Sequence, residues 1–141
     1  MTTLFEQPDI RPIAEGRYRL NETFKVVWQG WRFVIPAGFE HDGASVPRLA
    51  WTLSGIRPDG LIRAAALIHD ALYQHAGDMP RRWVRPEHRT FTRAEADWVF
   101  YEVMAAAGVG WWKRNVAYTA VRVGGWLAWR SSSRRKRSTQ A

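Results

Sequence analysis

The chain contains no cysteine. Disulfides, thiolate zinc sites and cysteine nucleophiles are therefore excluded as sources of stability or chemistry. Any metal bound by this chain has to be held by histidine, carboxylate or backbone oxygen ligands. The 141 residues are 46% hydrophobic and include nine tryptophans, so the sequence has enough apolar side chains to bury a core without covalent cross-links.

The sequence also lacks a long uncharged apolar run and a leader pattern. The most apolar stretch, 115–129, has Arg122 as its single charge, but it is too short for a spanning helix of ~20 residues. Residues 1–10 include Glu6 and Asp9 and have no basic segment followed by an apolar one. We therefore expect no transmembrane segment and no secretion by a signal peptide.

Acidic residues are absent from residues 131–141, which carry half of the net charge of +8 on Arg134, Arg135, Lys136 and Arg137. We predict a single globular domain over 1–130 and a basic, disordered tail over 131–141. Such a run is typical of binding to nucleic acid or to an anionic membrane. It is equally typical of a solvated tail that aids solubility.

Apolar side chains recur with a period of two in the first forty residues. They stand at positions 24, 26 and 28 and again at 31, 33 and 35, which predicts a half-buried strand pair with its turn at Gln29 and Gly30. A shorter strand over 17–20 would complete a three-stranded meander, since a lone hairpin is only marginally stable.

Helical patterns begin after residue 46. Leu61, Ala65, Ile68 and Leu72 recur at i, i+4, i+7 and i+11, which predicts an amphipathic helix ending near Gly77. A second helix opens with the capping box of Thr92 and Glu95 and runs to residue 108. The arginine-rich segment between them, 77–91, is predicted to be an exposed connection or a short hairpin.

A last helix is predicted over about 111–130. Five aromatic residues alternate in it with four basic ones, namely Trp111, Trp112, Tyr118, Trp126 and Trp129 with Lys113, Arg114, Arg122 and Arg130. This pattern fits a helix in a membrane interface, and it also fits a core helix with aromatic edges. The predicted fold is α+β, an N-terminal antiparallel β meander packed on a bundle of three to four helices.

The first two helices carry the residues that point to chemistry. His69, Asp70 and Tyr73 share one region of helix surface, and Asp97 approaches His69 if the helices pack antiparallel. A carboxylate bonded to one imidazole nitrogen fixes the tautomer and makes the other nitrogen a directed base. We predict that His69 and Asp97 lie within hydrogen-bond distance, ~2.6 to 3.2 Å. Asp70, about 100° away on the helix, is left to hold a cation.

The strings ALIHDALY at 66–73 and ADWVFY at 96–101 resemble the paired-helix core of the phospholipase A2 superfamily. The resemblance implies a metal-dependent hydrolase of lipid or envelope esters. The same resemblance implies that His69 activates water, that Asp97 orients His69, that Tyr73 supports the pair and that Asp70 helps to bind calcium.

The glycine-rich loop of those phospholipases has no counterpart directly before His69. Its nearest substitute is the segment 42–45, so Asp42 is a candidate metal ligand and Gly43, Ala44 and Ser45 are candidate oxyanion donors. Calcium is the expected ion ahead of zinc or magnesium, and no organic cofactor is expected.

A broader stretch is similar to a family of phage and prophage proteins of unknown function. It covers residues 39–48, the His69 helix, 93–97 and 118–124. This resemblance implies a location in the host cytoplasm, in the virion or in both. It keeps open a non-enzymatic tail or assembly component that contacts other virion proteins. The His-Asp cluster would then be a structural polar network, neutralised by Arg48 or Arg63.

A third possibility uses the order His41, His69, Asp70 and Asp97, which resembles the pattern of HD-type phosphohydrolases. Four such ligands suit a divalent metal that lowers the pKa of bound water. That superfamily presents its ligands from helices, whereas His41 is predicted at the end of a strand.

Overall fold

The computed structural model of the chain describes residues 7–15, 17–41 and 62–140, with side chains up to residue 136. The strands are β1 (Ile10–Ala14), β2 (Arg17–Leu20), β3 (Phe24–Trp28), β4 (Trp31–Ile35), β5 (Glu40–His41) and β6 (Val84–Arg85). The helices are α1 (Arg63–Gln74), α2 (Arg93–Ala106), α3 (Trp111–Gly124) and α4 (Trp126–Gln140), with a short 3-10 turn at Arg81–Trp83. The predicted α+β class is confirmed.

The predicted hairpin is β3 and β4. Phe24 pairs with Ile35 and Trp28 with Trp31, so the buried side chains of both strands fall on one face. Gln29 and Gly30 both have positive φ, 48° and 82°. Positive φ at both central residues is the conformation that a two-residue hairpin turn requires.

The predicted three-stranded meander is wrong in its pairing. Strand β2 forms, but it lies between β1 and β5 in a separate sheet, while β6 adds to β4 in the other sheet. Neither β1 nor β6 was recognised in the sequence. Apolar and polar side chains alternate only weakly in β1, and β6 lies in the arginine-rich segment predicted to be an exposed connection or a short hairpin. That segment also buries Met79, Val84 and Phe91.

Helix α1 lies at the centre of the core. An amphipathic helix was predicted, but every residue from Ala64 to Tyr73 is buried, because α2, α4, β4 and β5 all contact it. After α1 the chain turns at Gly77, which has φ of +82°. A Cβ there would lie 1.8 Å from the carbonyl oxygen of Phe91, so glycine is required where the two backbones meet.

Helix α2 begins at the predicted capping box. The amide of Glu95 donates to the Thr92 hydroxyl oxygen at 3.1 Å, and the amide of Thr92 donates to the Glu95 carboxylate at 3.0 Å. Val99 and Val103 of this helix are buried. The helix therefore begins at a defined residue and packs its valine side into the core.

The predicted last helix is divided in two at Gly125. A Cβ on Gly125 would lie 2.6 Å from the Tyr73 hydroxyl and 2.5 Å from the carbonyl oxygen of Val121. The missing side chain therefore lets the junction of α3 and α4 pass directly over Tyr73.

Helix α4 continues to residue 140 and includes the basic run at 134–137. Lys136 donates to the carbonyl oxygen of His75 at 3.1 Å and to the carboxylate of Asp78 at 2.8 Å. These contacts tie the basic end of α4 to the turn after α1. Within the described ranges, no helix is long and apolar enough to cross a membrane.

Candidate functional site

His69 and Asp97 meet at the interface between α1 and α2. His69 Nε2 lies 2.8 Å from Asp97 Oδ1, and both side chains are 0% exposed. The predicted hydrogen-bond distance is confirmed. Tyr73 contacts Arg93 and Asp97, whereas His69, one turn earlier, contacts Asp97 and Phe100. The two helices therefore run in opposite directions.

Asp97 accepts hydrogen bonds on both of its carboxylate oxygens. Tyr73 donates to Oδ1 at 2.6 Å, Arg122 donates to Oδ2 at 2.8 Å, and Arg93 donates to Oδ2 at 3.4 Å. Burial disfavours the charged carboxylate, but the hydrogen bond and charge of His69, with the bonds from Tyr73 and Arg122, outweigh it and lower the pKa of Asp97. Asp97 is therefore ionised at neutral pH.

Tyr73 is a permanent donor in this cluster. Burial, together with the hydrogen bond to Asp97 and its charge, raises the pKa of Tyr73 far above its ordinary value, so the hydroxyl keeps its proton. The Tyr73 ring lies 4.2 Å from the His69 ring and 5.0 Å from the Trp129 ring between centroids. Contacts on two sides hold the hydroxyl against Asp97.

The orientation of the His69 ring follows from its partners. Asp97 is an ionised acceptor, so Nε2 of His69 carries a proton and donates it to Oδ1. The ring packs against Tyr73 and against Phe100, whose centroid is 4.7 Å away. These contacts fix the position of the imidazole.

Two arginines of this site were missed from the sequence. Arg48 or Arg63 was expected to neutralise the charge of the cluster. Arg48 lies outside the described residues. The arginines that neutralise the Asp97 carboxylate are Arg122 and Arg93. Arg93 lies four residues before Asp97, and this helical spacing was a usable signal. Arg122 is 25 residues from Asp97, and no local pattern pointed to it.

Arg93 also joins α2 to α3. Its guanidinium donates to the carbonyl oxygens of Val121 at 3.0 Å and Arg122 at 3.2 Å, which lie in the last turn of α3. The last carbonyls of a helix have no partner within the helix. The Val121 carbonyl also accepts from the amide of Gly125 at 2.9 Å, so Arg93 gives it a second donor and gives the Arg122 carbonyl a donor from outside the helix, while it contributes charge beside Asp97.

The predicted metal ligands are only partly described. Asp70 is 2% exposed on α1, while Asp42, Gly43, Ala44 and Ser45 lie outside the described residues. No three or more His, Asp or Glu side chains within the described ranges form a group able to hold a metal. These residues offer Asp70 alone for the predicted calcium, so we derive no chemical step through a metal.

The four residues of the phosphohydrolase-like pattern do not form a metal site either. His41, His69, Asp70 and Asp97 are all described, and they do not converge as a metal-binding group. His41 is buried on β5, and its ring stacks on Phe39 with centroids 6.2 Å apart. The geometry does not favour this function.

A second histidine-aspartate pair lies at the surface. His88 Nε2 is 2.8 Å from Asp78 Oδ1, with side chains 27% and 37% exposed. Lys136 binds the other oxygen of Asp78. The hydrogen bond from Lys136 outweighs burial and lowers the pKa of Asp78.

Comparison with known proteins gives a family and one relative. The profile of a family described as protein of unknown function (DUF1353) matches residues 18–121. The uncharacterized protein y4jT of Sinorhizobium fredii (strain NBRC 101917 / NGR234) is 32% identical over 92 residues, 65% of this chain and 24% of that protein. The chain thus spans about a quarter of that relative's length. No solved structure matches the chain.

Proposed function

Because this chain belongs to the DUF1353 family, whose function is unknown, we propose a function from its own site: a hydrolase in which His69, oriented by Asp97, activates water against a lipid or envelope ester. The supporting observation is the buried 2.8 Å contact between His69 Nε2 and Asp97 Oδ1, reinforced by the Tyr73 hydroxyl at 2.6 Å. The resemblance of 66–73 and 96–101 to the phospholipase A2 superfamily supplies the substrate class.

In the proposed reaction the second ring nitrogen of His69 is the base. Nδ1 of His69 accepts a proton from water as the water oxygen attacks the ester carbonyl carbon. When the tetrahedral intermediate collapses, the bond to the alkoxide oxygen breaks and the imidazolium returns its proton to that oxygen. A carboxylic acid and an alcohol leave, and His69 is neutral again.

Asp97 stays ionised throughout and stabilises the imidazolium that forms. Tyr73 and Arg122 are positioning residues, since they hold the Asp97 carboxylate and do not face the reacting atoms. A general base held in this way contributes ~10² to 10⁴ in rate.

Full burial of His69 sets a condition on this function. The ring is 0% exposed, so substrate reaches Nδ1 only when the ring's side opposite Asp97 becomes accessible. Histidine modification with diethylpyrocarbonate, read by mass spectrometry, measures that accessibility. We expect label on His69 to increase when phospholipid vesicles are added, while His88 at 27% exposure is labelled with or without them.

Hydrolysis of phosphatidylglycerol vesicles and of a soluble ester tests the activity itself. Wild type, His69→Gln and the surface control His88→Gln are compared in Ca²⁺, Zn²⁺, Mg²⁺ or EDTA. Activity that needs Ca²⁺ and is lost in Asp70→Asn supports the predicted calcium ligand. Wild-type protein that is inert in every condition rejects the hydrolase.

One observation favours a second candidate, a phage virion component of the tail or its assembly. Asp97 is fully buried and is neutralised by Arg122 and Arg93, which is the arrangement of a network that ties three helices together. This function predicts no hydrolysis with any metal. Phage or prophage origin is part of both proposals and rests on the resemblance of residues 39–48 and 93–97.

A further inference from the structure

Helices α3 and α4 present an apolar face that no described element covers. Five large hydrophobic side chains on them are exposed: Trp111 64%, Trp112 68%, Val123 72%, Trp126 47% and Leu127 60%. On α3, Trp112, Val116, Thr119 and Val123 follow one another at spacings of four, three and four residues, which places them on one side of the helix. Buried Ala117 and Val121 lie on the opposite side.

The exposed side of α4 continues this face with cationic residues. Leu127, Arg130 and Arg134 are separated by three and four residues and are all exposed, so they share one side of α4. On the other side Trp129 packs on Tyr73 and Ser132 is buried. Apolar groups at the helix junction are thus followed by guanidinium groups along the same helix.

This region carries an excess of positive charge, although two of its cations pair with aspartates of earlier segments, Arg122 with Asp97 and Lys136 with Asp78. Eight of the 21 Lys and Arg residues and none of the 13 acidic residues follow Glu102. Residues 1–102 therefore hold 13 of each sign and are neutral, and the whole net charge of +8 belongs to the segment that contains α3 and α4.

We propose that this junction face, formed by Trp112, Val123, Trp126, Leu127, Arg130 and Arg134, docks on an anionic lipid bilayer. Tryptophan rings favour the headgroup layer, aliphatic side chains enter the acyl boundary, and arginines bind lipid phosphates. The positive charge of Arg130 and Arg134 is complementary to the negative charge of an anionic lipid surface.

Two other occupants fit less well. Nucleic acid would stack on tryptophan and bind arginine, but it gives Val123 and Leu127 nothing apolar to contact. A second copy of the chain would bring two uncompensated positive faces together, which is repulsive. Docking uses neither His69 nor Asp97, so it stands or fails separately from hydrolysis.

The absence of native cysteine allows a site-specific probe. Val123→Cys, labelled with an environment-sensitive fluorophore, is mixed with phosphatidylcholine vesicles with or without phosphatidylglycerol. The matched control is Val27→Cys on β3, also exposed at 65%. We expect a blue shift at position 123 with anionic vesicles, none at position 27, and reversal by high salt.

Charge reversal tests the cationic half of the face by vesicle sedimentation. Arg130→Glu with Arg134→Glu should weaken partitioning by about tenfold or more, while Arg81→Glu with Arg82→Glu, an equal change at exposed positions, leaves it near wild type. Circular dichroism melts confirm that both variants fold.

Several results would overturn the proposal. Equal partitioning of the two double variants removes the role of the junction face. A shift at position 123 with single-stranded DNA but not with vesicles assigns the face to nucleic acid. A shift that rises with protein concentration alone assigns it to self-association.

Discussion

The chain contains two histidine-aspartate pairs with the same contact distance and different surroundings. In each, Nε2 of the histidine lies 2.8 Å from Oδ1 of the aspartate. The pair of His69 and Asp97 is fully buried and shares its carboxylate with Tyr73, Arg122 and Arg93. The pair of His88 and Asp78 is partly exposed, where water and salt screen its charges. Burial and the number of donors, rather than distance, separate an enclosed, oriented histidine-aspartate pair from an ordinary surface contact.

The largest difference between the pairs should be in hydrolysis. His69→Gln keeps one hydrogen bond to Asp97 at similar size but cannot accept and return a proton, so hydrolysis of a phospholipid or soluble ester falls by ~10² to 10⁴. His88→Gln retains wild-type rates. An equal loss in both variants would show that neither pair is the general base.

Stability should separate the two aspartates next. Asp97→Ala leaves buried donors of His69 and Tyr73 unpaired and is expected to cost ~1 to 3 kcal/mol in the free energy of unfolding. Asp78→Ala removes a screened surface pair and should cost less than about 1 kcal/mol. Urea titrations of both variants give the two values, and a cost for Asp78→Ala that equals or exceeds the other would contradict the comparison.

The tyrosine hydroxyl isolates one bond of the buried pair. Tyr73→Phe keeps the ring contacts with His69 and Trp129 but removes the 2.6 Å donor to Asp97, with an expected loss of ~0.5 to 1.5 kcal/mol. Thermal melts measure it. Tyr118, half-buried on α3, provides the control Tyr118→Phe, and an equal loss there would assign the effect to tyrosine substitution in general.

Acid unfolding should show the smallest contrast. The pKa of each aspartate is lowered by folding from an ordinary value of 3.8, so each stabilises the fold above that value and loses the contribution as pH falls through its folded pKa. Asp97→Asn should flatten the acid limb of the stability curve more than Asp78→Asn. Added salt should reduce the contribution of Asp78 alone. A salt effect of equal size on both would place Asp97 in contact with solvent.

Local signals in the sequence predicted what local structure decides. The turn at Gln29 and Gly30 and the capping box at Thr92 each follow from spacings of a few residues. The contact of His69 with Asp97 spans 28 residues, and it was predicted only because two amphipathic helices were expected to pack antiparallel. The pairing of β2 with β5, the strand at 84–85 and Arg122 depend on contacts across tens of residues, which periodicity does not record. The contacts of Lys136 with the His75 carbonyl and the Asp78 carboxylate are also of this kind, because a run of charged residues carries no record of the groups that bind one of its members.

Gly125 links the two helices of the junction face to the buried pair, and this has an evolutionary consequence. A side chain there would displace the Tyr73 hydroxyl, and it would also strike the carbonyl of Val121, which cannot swing away. In relatives whose similarity extends over both positions, tyrosine at position 73 and glycine at position 125 should therefore be inherited together. A relative that carries a larger residue at the second position should have exchanged the tyrosine for a shorter side chain, and such paired exchanges would mark the members whose carboxylate has lost this donor.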